Sequence, residues 1–260
     1  MLLKMKYNQF KILLCFLAML FLPTLCFAND MQSVFQKGNG FYNKNHYKEA
    51  IATYNQIINA GYYSAPVYFN LGNAYYKDGD LPSALLYYEK AHRLSPGDDD
   101  INFNIRFANA KTTDKIEEAP EFFLSKWWKG FILAMSADAL AIIAIMLVLL
   151  GSGALILYFF STSFSIKKFS FFGSLVLFFL GIFGVFIVGS QVSYFDNNKQ
   201  AIIFTSVVNV KGSPAEQAAT LFVLHDGTKI NISDNSNGWL KIKLANGNEG
   251  WLKLTDVKEI

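Results

Sequence analysis

The sequence predicts a multidomain chain of three kinds of structure: an α-helical repeat solenoid, a hairpin of two transmembrane helices, and a small C-terminal β-barrel. Three observations predict it. Small and aromatic residues recur at a spacing of 34 between Gly38 and Tyr88, two long uncharged apolar runs follow between Ala139 and Val192, and after Gln200 the hydrophobic period falls to two. Composition agrees: 52% of the 260 residues are hydrophobic and only 17% charged, too apolar for an ordinary water-soluble chain.

The repeat is carried by Gly38, Ala50 and Tyr54, which return as Gly72, Ala84 and Tyr88, with Phe41 and Tyr75 matching as aromatics. Gly72 and Ala84 let the two helices of a hairpin approach closely, and the rings of Tyr75 and Tyr88 fill the space beside them. With Tyr68, Leu71, Ala91 and Pro96 in the second copy, the pattern resembles the tetratricopeptide repeat. The first copy departs from it at Val34 and Lys37. Repeats are expected at 31–64 and 65–98, with a closing helix over 99–115 whose Ile101, Ile105 and Ala108 cover the last apolar face. About three repeats are usually needed for independent stability, so a domain with two is expected to lean on a partner or on the membrane.

Residues 119–138 read as a juxtamembrane segment. Phe122, Phe123, Trp127 and Trp128, with Lys126 and Lys129, have the composition of an aromatic belt at a membrane surface. From Ala139 to Ile166 no residue is charged, and the spans are placed at 139–160 and 169–192, each above the roughly 20 residues that cross a bilayer. Lys167 and Lys168 mark residues 161–168 as a cytosolic loop. Ser136 and Asp138 are expected to cap the first span, with an intramembrane carboxylate role for Asp138 as the alternative.

The net charge of +3 carries no nucleic-acid signal. Residues 29–129 hold 11 basic and 12 acidic side chains and residues 195–260 hold seven of each, so the excess sits in Lys4, Lys6, Lys11, Lys167 and Lys168, beside the apolar runs. The first three precede an apolar core from Ile12 to Leu22 and Pro23. This predicts an export signal over 1–28 cleaved after Ala28, with an uncleaved anchor helix as the alternative. Both soluble domains are then expected on the periplasmic side of the inner membrane. Both cysteines, Cys15 and Cys26, fall inside that signal, so the mature chain is expected to have no disulfide, thiolate metal site or cysteine nucleophile.

After Gln200, Ile230 and Ile232 alternate with Lys229 and Asn231, and Leu240, Ile242 and Leu244 with Trp239, Lys241 and Lys243. Asp226-Gly227, Asn237-Gly238 and Asn246-Gly247 supply the turns. The order Val207-Val208-Asn209-Val210-Lys211, Pro214, Val223-Leu224, Gly238-Trp239-Leu240-Lys241-Ile242, Gly250-Trp251-Leu252 resembles the bacterial SH3-like domain, assigned to 193–260. Lys211 stands where that family often has arginine.

Taken together, these parts resemble the BatE-type proteins of the aerotolerance operons. The link from Ala108-Asn109-Ala110-Lys111 through Asp114-Lys115-Ile116-Glu117 to Trp127-Trp128 adds to the likeness. The resemblance implies a place in an envelope complex with von Willebrand-type membrane proteins and an associated ATPase, connected with oxidative-stress tolerance. It implies no biochemical activity.

Two surfaces are candidate sites. Positions facing the concave side of the repeats are Phe35, Asn39 and Tyr42, then Phe69, Asn73 and Tyr76, with Phe103 and Phe107 on the closing helix. They form an aromatic groove for an extended peptide, with the two asparagine amides on its backbone. An aromatic stripe at helical spacing fits a helix core equally. Phe35 and Phe69 occupy the position where acidic C-termini would need a lysine. In the barrel, Trp239 and Trp251 are either a ligand face, with cell-wall peptide as the ligand by analogy, or caps of the core. His46, His92 and His225 are isolated, and no metal, cofactor, phosphate loop or catalytic cluster is expected. The function predicted is therefore a non-enzymatic scaffold. An envelope sensor is the alternative, disfavoured by a cytosolic loop too short to be an effector, and a wall hydrolase lacks a nucleophile.

Overall fold

A computed structural model describes residues 29–117 and 119–260 of the chain; the expected export signal lies outside them. The chain divides into a unit up to Tyr63 and a unit from Ser64 to Ile260.

The first unit contains α1 (Asn29–Asn43) and α2 (Tyr47–Asn59), joined by a turn in which Asn45 takes a left-handed conformation. Tyr54 of α2 lies against Gly38, and its hydroxyl donates to Asn39 Oδ1 at 2.7 Å.

The second unit opens with the same hairpin, α3 (Ala65–Asp78) and α4 (Leu81–Leu94). Ser64 caps α3, accepting from the Val67 amide, and Asp80 caps α4, accepting from both the Ser83 amide and its hydroxyl. The reason for glycine at position 72 is steric: a Cβ there would stand 2.6 Å from the Tyr88 ring and 3.2 Å from the Ala84 carbonyl oxygen. Tyr88 donates to Asn73 Oδ1 at 2.7 Å, repeating the Tyr54 and Asn39 pair 34 residues on.

The closing helix α5 (Asp99–Asn109) begins where Asp98 accepts from the Asp100 and Ile101 amides. It stops six residues short of the expected 115. Lys115 ends it by folding back to donate to the carbonyls of Asn109, Ala110 and Thr112.

The segment expected to be an aromatic belt contains a helix of its own, α6 (Phe123–Ile132), with Phe123 and Trp127 exposed and Ile132 buried. Two helices follow, α7 (Ala137–Phe160) and α8 (Phe164–Asn197), each long and apolar enough to cross a membrane. Ser136 caps α7 by accepting from the Ala139 amide, and Asp138 stands in its first turn, where the helix dipole favours a carboxylate. Small residues set the α7–α8 spacing: a Cβ on Gly184 would meet Ala144 Cβ at 3.0 Å, and one on Gly151 would meet Leu177 at 3.3 Å. Gln191, buried on α8, donates to the carbonyls of Ile132 and Met135 and holds the end of α6 against α8. One expectation is corrected here. The connection is only Ser161–Ser163, and Lys167 and Lys168 lie on the first turns of α8, not in a loop over 161–168. Lysine is a good helix former, so charge at this end does not oblige the chain to unwind.

Strands β1 (Gln200–Ile203), β2 (Val207–Lys211), β3 (Thr220–His225), β4 (Lys229–Ser236), β5 (Trp239–Lys243), β6 (Glu249–Lys253) and β7 (Val257–Glu259) form one antiparallel sheet. Their order is β3-β2-β6-β5-β4-β1-β7. The β4–β5 turn needs a left-handed conformation at both central residues, which Asn237 and Gly238 adopt at φ 50° and 81°. Val208, Val210, Leu224, Ile230, Leu240, Ile242 and Leu252 fill the core inside the sheet.

The fold makes a steric prediction. Gly72→Ala should destabilise the second repeat by roughly 1–3 kcal/mol through overpacking against Tyr88. Gly130→Ala, where nothing lies within 4 Å of an added Cβ, should not. Urea titration of the purified chain, followed by far-ultraviolet dichroism, checks the pair.

Candidate functional site

The residues proposed for the peptide groove separate into two kinds. In the first unit, Phe35 leans on Tyr54 with ring centroids 5.9 Å apart, and Tyr42 meets Tyr47 edge-on at 5.5 Å. In the second, Phe69 leans on Tyr88 at 5.9 Å and packs against the buried cluster of α4. Asn39 and Asn73 receive tyrosine hydroxyls, and Asn73 Oδ1 also receives the Asn104 amide at 3.0 Å. Their recurrence thus has a structural cause: each joins the two helices of its hairpin through a tyrosine.

Tyr76, Phe103 and Phe107 are arranged differently. Phe103 and Phe107 stack at 6.1 Å on one side of α5, and Tyr76 of α3 approaches Phe107 at 5.7 Å. Phe103 is 59% exposed and Phe107 48% exposed. Phe103 and Phe107 thus face outward on α5, with the half-buried Tyr76, which also packs on the core cluster, at their base, the arrangement a hydrophobic segment of a partner would use. Lys111 lies over the Phe107 ring at 5.7 Å and adds a cation to its edge.

On the sheet, Trp239 and Trp251 lie on the face opposite the buried leucines, as the alternation on β5 and β6 requires. Both are half-buried, and neither belongs to the core cluster. Trp239 pairs with Lys253, and Trp251 with both Lys241 and Lys211. Lys253 stands over the Trp239 ring at 5.9 Å. Glu249 bridges Lys241 and Lys243, whose ammonium groups hold its carboxyl below the usual range. The outer face is therefore aromatic, edged by lysines of which Lys241 and Lys243 share Glu249 and Lys253 pairs with Glu216.

A third feature had no signal in the sequence. Within the second unit, the sheet and the repeat are joined by a bonded, partly dry junction. Ile202 of β1 is completely buried in one cluster with Ala84, Leu85, Leu86, Tyr88 and Ala108. Beside it, Lys229 donates to Glu89 at 2.7 Å, and Glu89 is only 3% exposed. Asp114 accepts from the His225 amide at 2.7 Å and the Thr228 hydroxyl at 2.7 Å, and bonds the His225 ring at 2.8 Å. Burial would raise its carboxyl, but the His225 amide and ring and the Thr228 hydroxyl outweigh it and hold the group below its ordinary value. Ile116 packs on the sheet core, and the Ala119 amide donates to the Ala245 carbonyl. Arg93, at the end of α4, donates to Asp196 on the last turn of α8 and to the Ile260 carbonyl.

Comparison with known families agrees with this division. Residues 65–98 match the tetratricopeptide repeat and residues 206–257 match the bacterial SH3 domain. No curated protein matches the chain. Both matched families are binding domains. Among the described residues, no group of three or more histidine, cysteine or acidic side chains is placed to hold a metal ion.

The junction yields two predictions. Lys229→Met leaves the Glu89 carboxylate buried and unpaired, at a cost of about 3–5 kcal/mol, and adding Glu89→Leu should recover most of it; pulse proteolysis in urea measures both. For Asp114, the depressed folded-state pKa means that its stabilisation is present above the unfolded value of about 3.9 and is lost as pH falls through the folded one. Asp114→Asn should therefore lower the urea midpoint at pH 7, and the gap to the parent chain should close on acidification below about pH 4.

Proposed function

We propose that the chain is a non-enzymatic scaffold of the bacterial inner membrane, with its repeats and its SH3-like domain on the periplasmic side, and that it serves a BatE-type envelope complex linked to oxidative-stress tolerance. The observation that carries this reading is the exposed pair Phe103 and Phe107, based on Tyr76, on a fold whose use is to bind protein segments. The two apolar helices supply the membrane anchor. The Lys167–Lys168 pair at the far end of the hairpin supports a cytosolic turn by the excess of positive charge that such turns carry. The bonded junction between repeat and sheet supports a placement of both on one side of that anchor.

A scaffold also fits what lies between the helices. Three residues, Ser161–Ser163, connect them, too few for a signalling output. The partners of this reading are membrane proteins with von Willebrand-type domains, reached through the aromatic row. Asn39, Phe35, Tyr42, Phe69 and Asn73 then shape the repeats and do not themselves hold the ligand.

A second ligand is favoured by the outer face of the sheet. Trp239 and Trp251, off the core, offer ring faces to a cell-wall peptide, with Lys211 beside Trp251 as a cation for its carboxylates; Lys241 and Lys253 are already paired with Glu249 and Glu216.

The paired substitution Phe103→Ala and Phe107→Ala tests the first surface and Trp239→Ala tests the second. With the helical dichroism unchanged, the first pair should reduce recovery of membrane partners after crosslinking in intact cells by tenfold or more. The tryptophan change should reduce sedimentation with purified peptidoglycan while sparing partner recovery. Full recovery from the phenylalanine pair would overturn the scaffold reading. Protease added to spheroplasts should degrade both soluble ends; protection of either would overturn the orientation.

A further inference from the structure

The junction encloses a space that neither peptide binding nor anchoring explains. A partly open cavity of about 1140 Å³ lies between α4, α6, the end of α8 and the strands β4 and β5. That volume exceeds the range of roughly 300–1,000 Å³ typical of pockets for drug-sized ligands, so an elongated molecule suits it better than a small metabolite.

Its two ends differ in chemistry. Phe186 and Gly189 line one end, on the part of α8 that is apolar enough to cross a membrane. Asn231 and Lys243 line the other, on the strands, together with Lys229, whose charge Glu89 of the same lining neutralises; Lys129 and Glu121, 3.6 Å apart, form a second pair in the lining. Lys243 meets Glu249 only at 3.6 Å, longer than a direct hydrogen bond, and is half exposed. His92 also lines the cavity, and its Nδ1 is buried with no hydrogen-bond partner, an uncommon state for a polar atom. Burial holds the His92 ring below its ordinary titration range, so it offers a neutral nitrogen. Gly189 leaves open space: nothing lies within 4 Å of a Cβ placed there.

An occupant must therefore be apolar toward the membrane helix, polar and acidic toward the strands, and long enough to reach both. We propose that the cavity holds a membrane phospholipid, its phosphate against Asn231 and Lys243 and its acyl chains against Phe186 and Gly189. The proposal rests on the membrane insertion argued above. The lipid wedges between sheet, repeat and hairpin and fixes the depth at which the soluble body meets the bilayer.

The test uses the full chain, extracted from membranes and washed with excess detergent, with bound phospholipid measured by native mass spectrometry. The parent chain should retain about one phospholipid per chain. Gly189→Trp, which fills the cavity from an open position, should abolish retention, and Lys243→Gln should reduce it at least fivefold. Gly153→Trp, the same change at another open position of the hairpin, should leave it intact. Equal retention by the parent and Gly189→Trp, or none by the parent, would overturn the proposal. Displacement of the lipid by millimolar inorganic phosphate alone would assign the site to free phosphate and overturn it too. Carbonate extraction separates the two readings: a chain that stays in the membrane pellet yet retains no lipid defeats the cavity assignment only, whereas release into the supernatant defeats insertion itself.

Discussion

The burial of Ile202 in the second repeat is the constraint on which the rest of this unit depends. A tetratricopeptide hairpin hides one apolar face against its neighbour and needs a cover for the next. Here α5 supplies part of that cover, and a β-strand supplies the rest. Because β1 starts at Gln200 and α8 ends at Asn197, almost no chain separates the membrane-type helix from the strand that docks. The sheet cannot drift on a linker. Its position is set by α8 on one side and by Leu85 and Tyr88 on the other.

The polar contacts around Ile202 make that docking specific. Glu89 is costly to bury alone, and Lys229 neutralises it only when β4 is in register beside α4. Asp114 adds three contacts of its own, two from His225 at the end of β3 and one from Thr228 in the turn before β4. The segment after α5 thus serves as a strap across the sheet, with Ile116 on its core and Ala119 hydrogen-bonded to Ala245. The repeat over 65–98 therefore finds in the C-terminal sheet part of the cover that a further repeat would give. The docking leaves the rings around Phe107 and the face around Trp239 uncovered.

What the sequence made legible follows from distance along the chain. Gly72 and Tyr88 are one hairpin apart, so the need for glycine under a ring appears as a repeated spacing. Asn237-Gly238 announces its turn because few other pairs tolerate two left-handed residues in succession. The alternation on β5 placed Trp239 away from the leucines before any coordinates did. The junction is the opposite case: Asp114 and His225 are 111 residues apart, and Glu89 and Lys229 are 140 apart. Each of these residues looks like ordinary surface charge when read locally. Asn39 and Asn73 show a related limit of local reading, since an asparagine repeated on a helix face looks the same whether it serves a ligand, a tyrosine of the next helix or both. Lys167 and Lys168 marked the end of the hairpin but not its turn, because charge signals the end of an apolar span without breaking a helix.

Repeat and sheet of the second unit, joined by the Ile202 cluster and the Glu89 and Asp114 contacts, should move as one body. The most direct measurement is an electron spin-resonance distance between labels at Asp100 on α5 and Asn235 on β4, both exposed, in a chain lacking Cys15 and Cys26 and held in lipid nanodiscs. A single narrow distance distribution is predicted. A broad distribution, of the kind produced by two domains tethered through a flexible link, would contradict it.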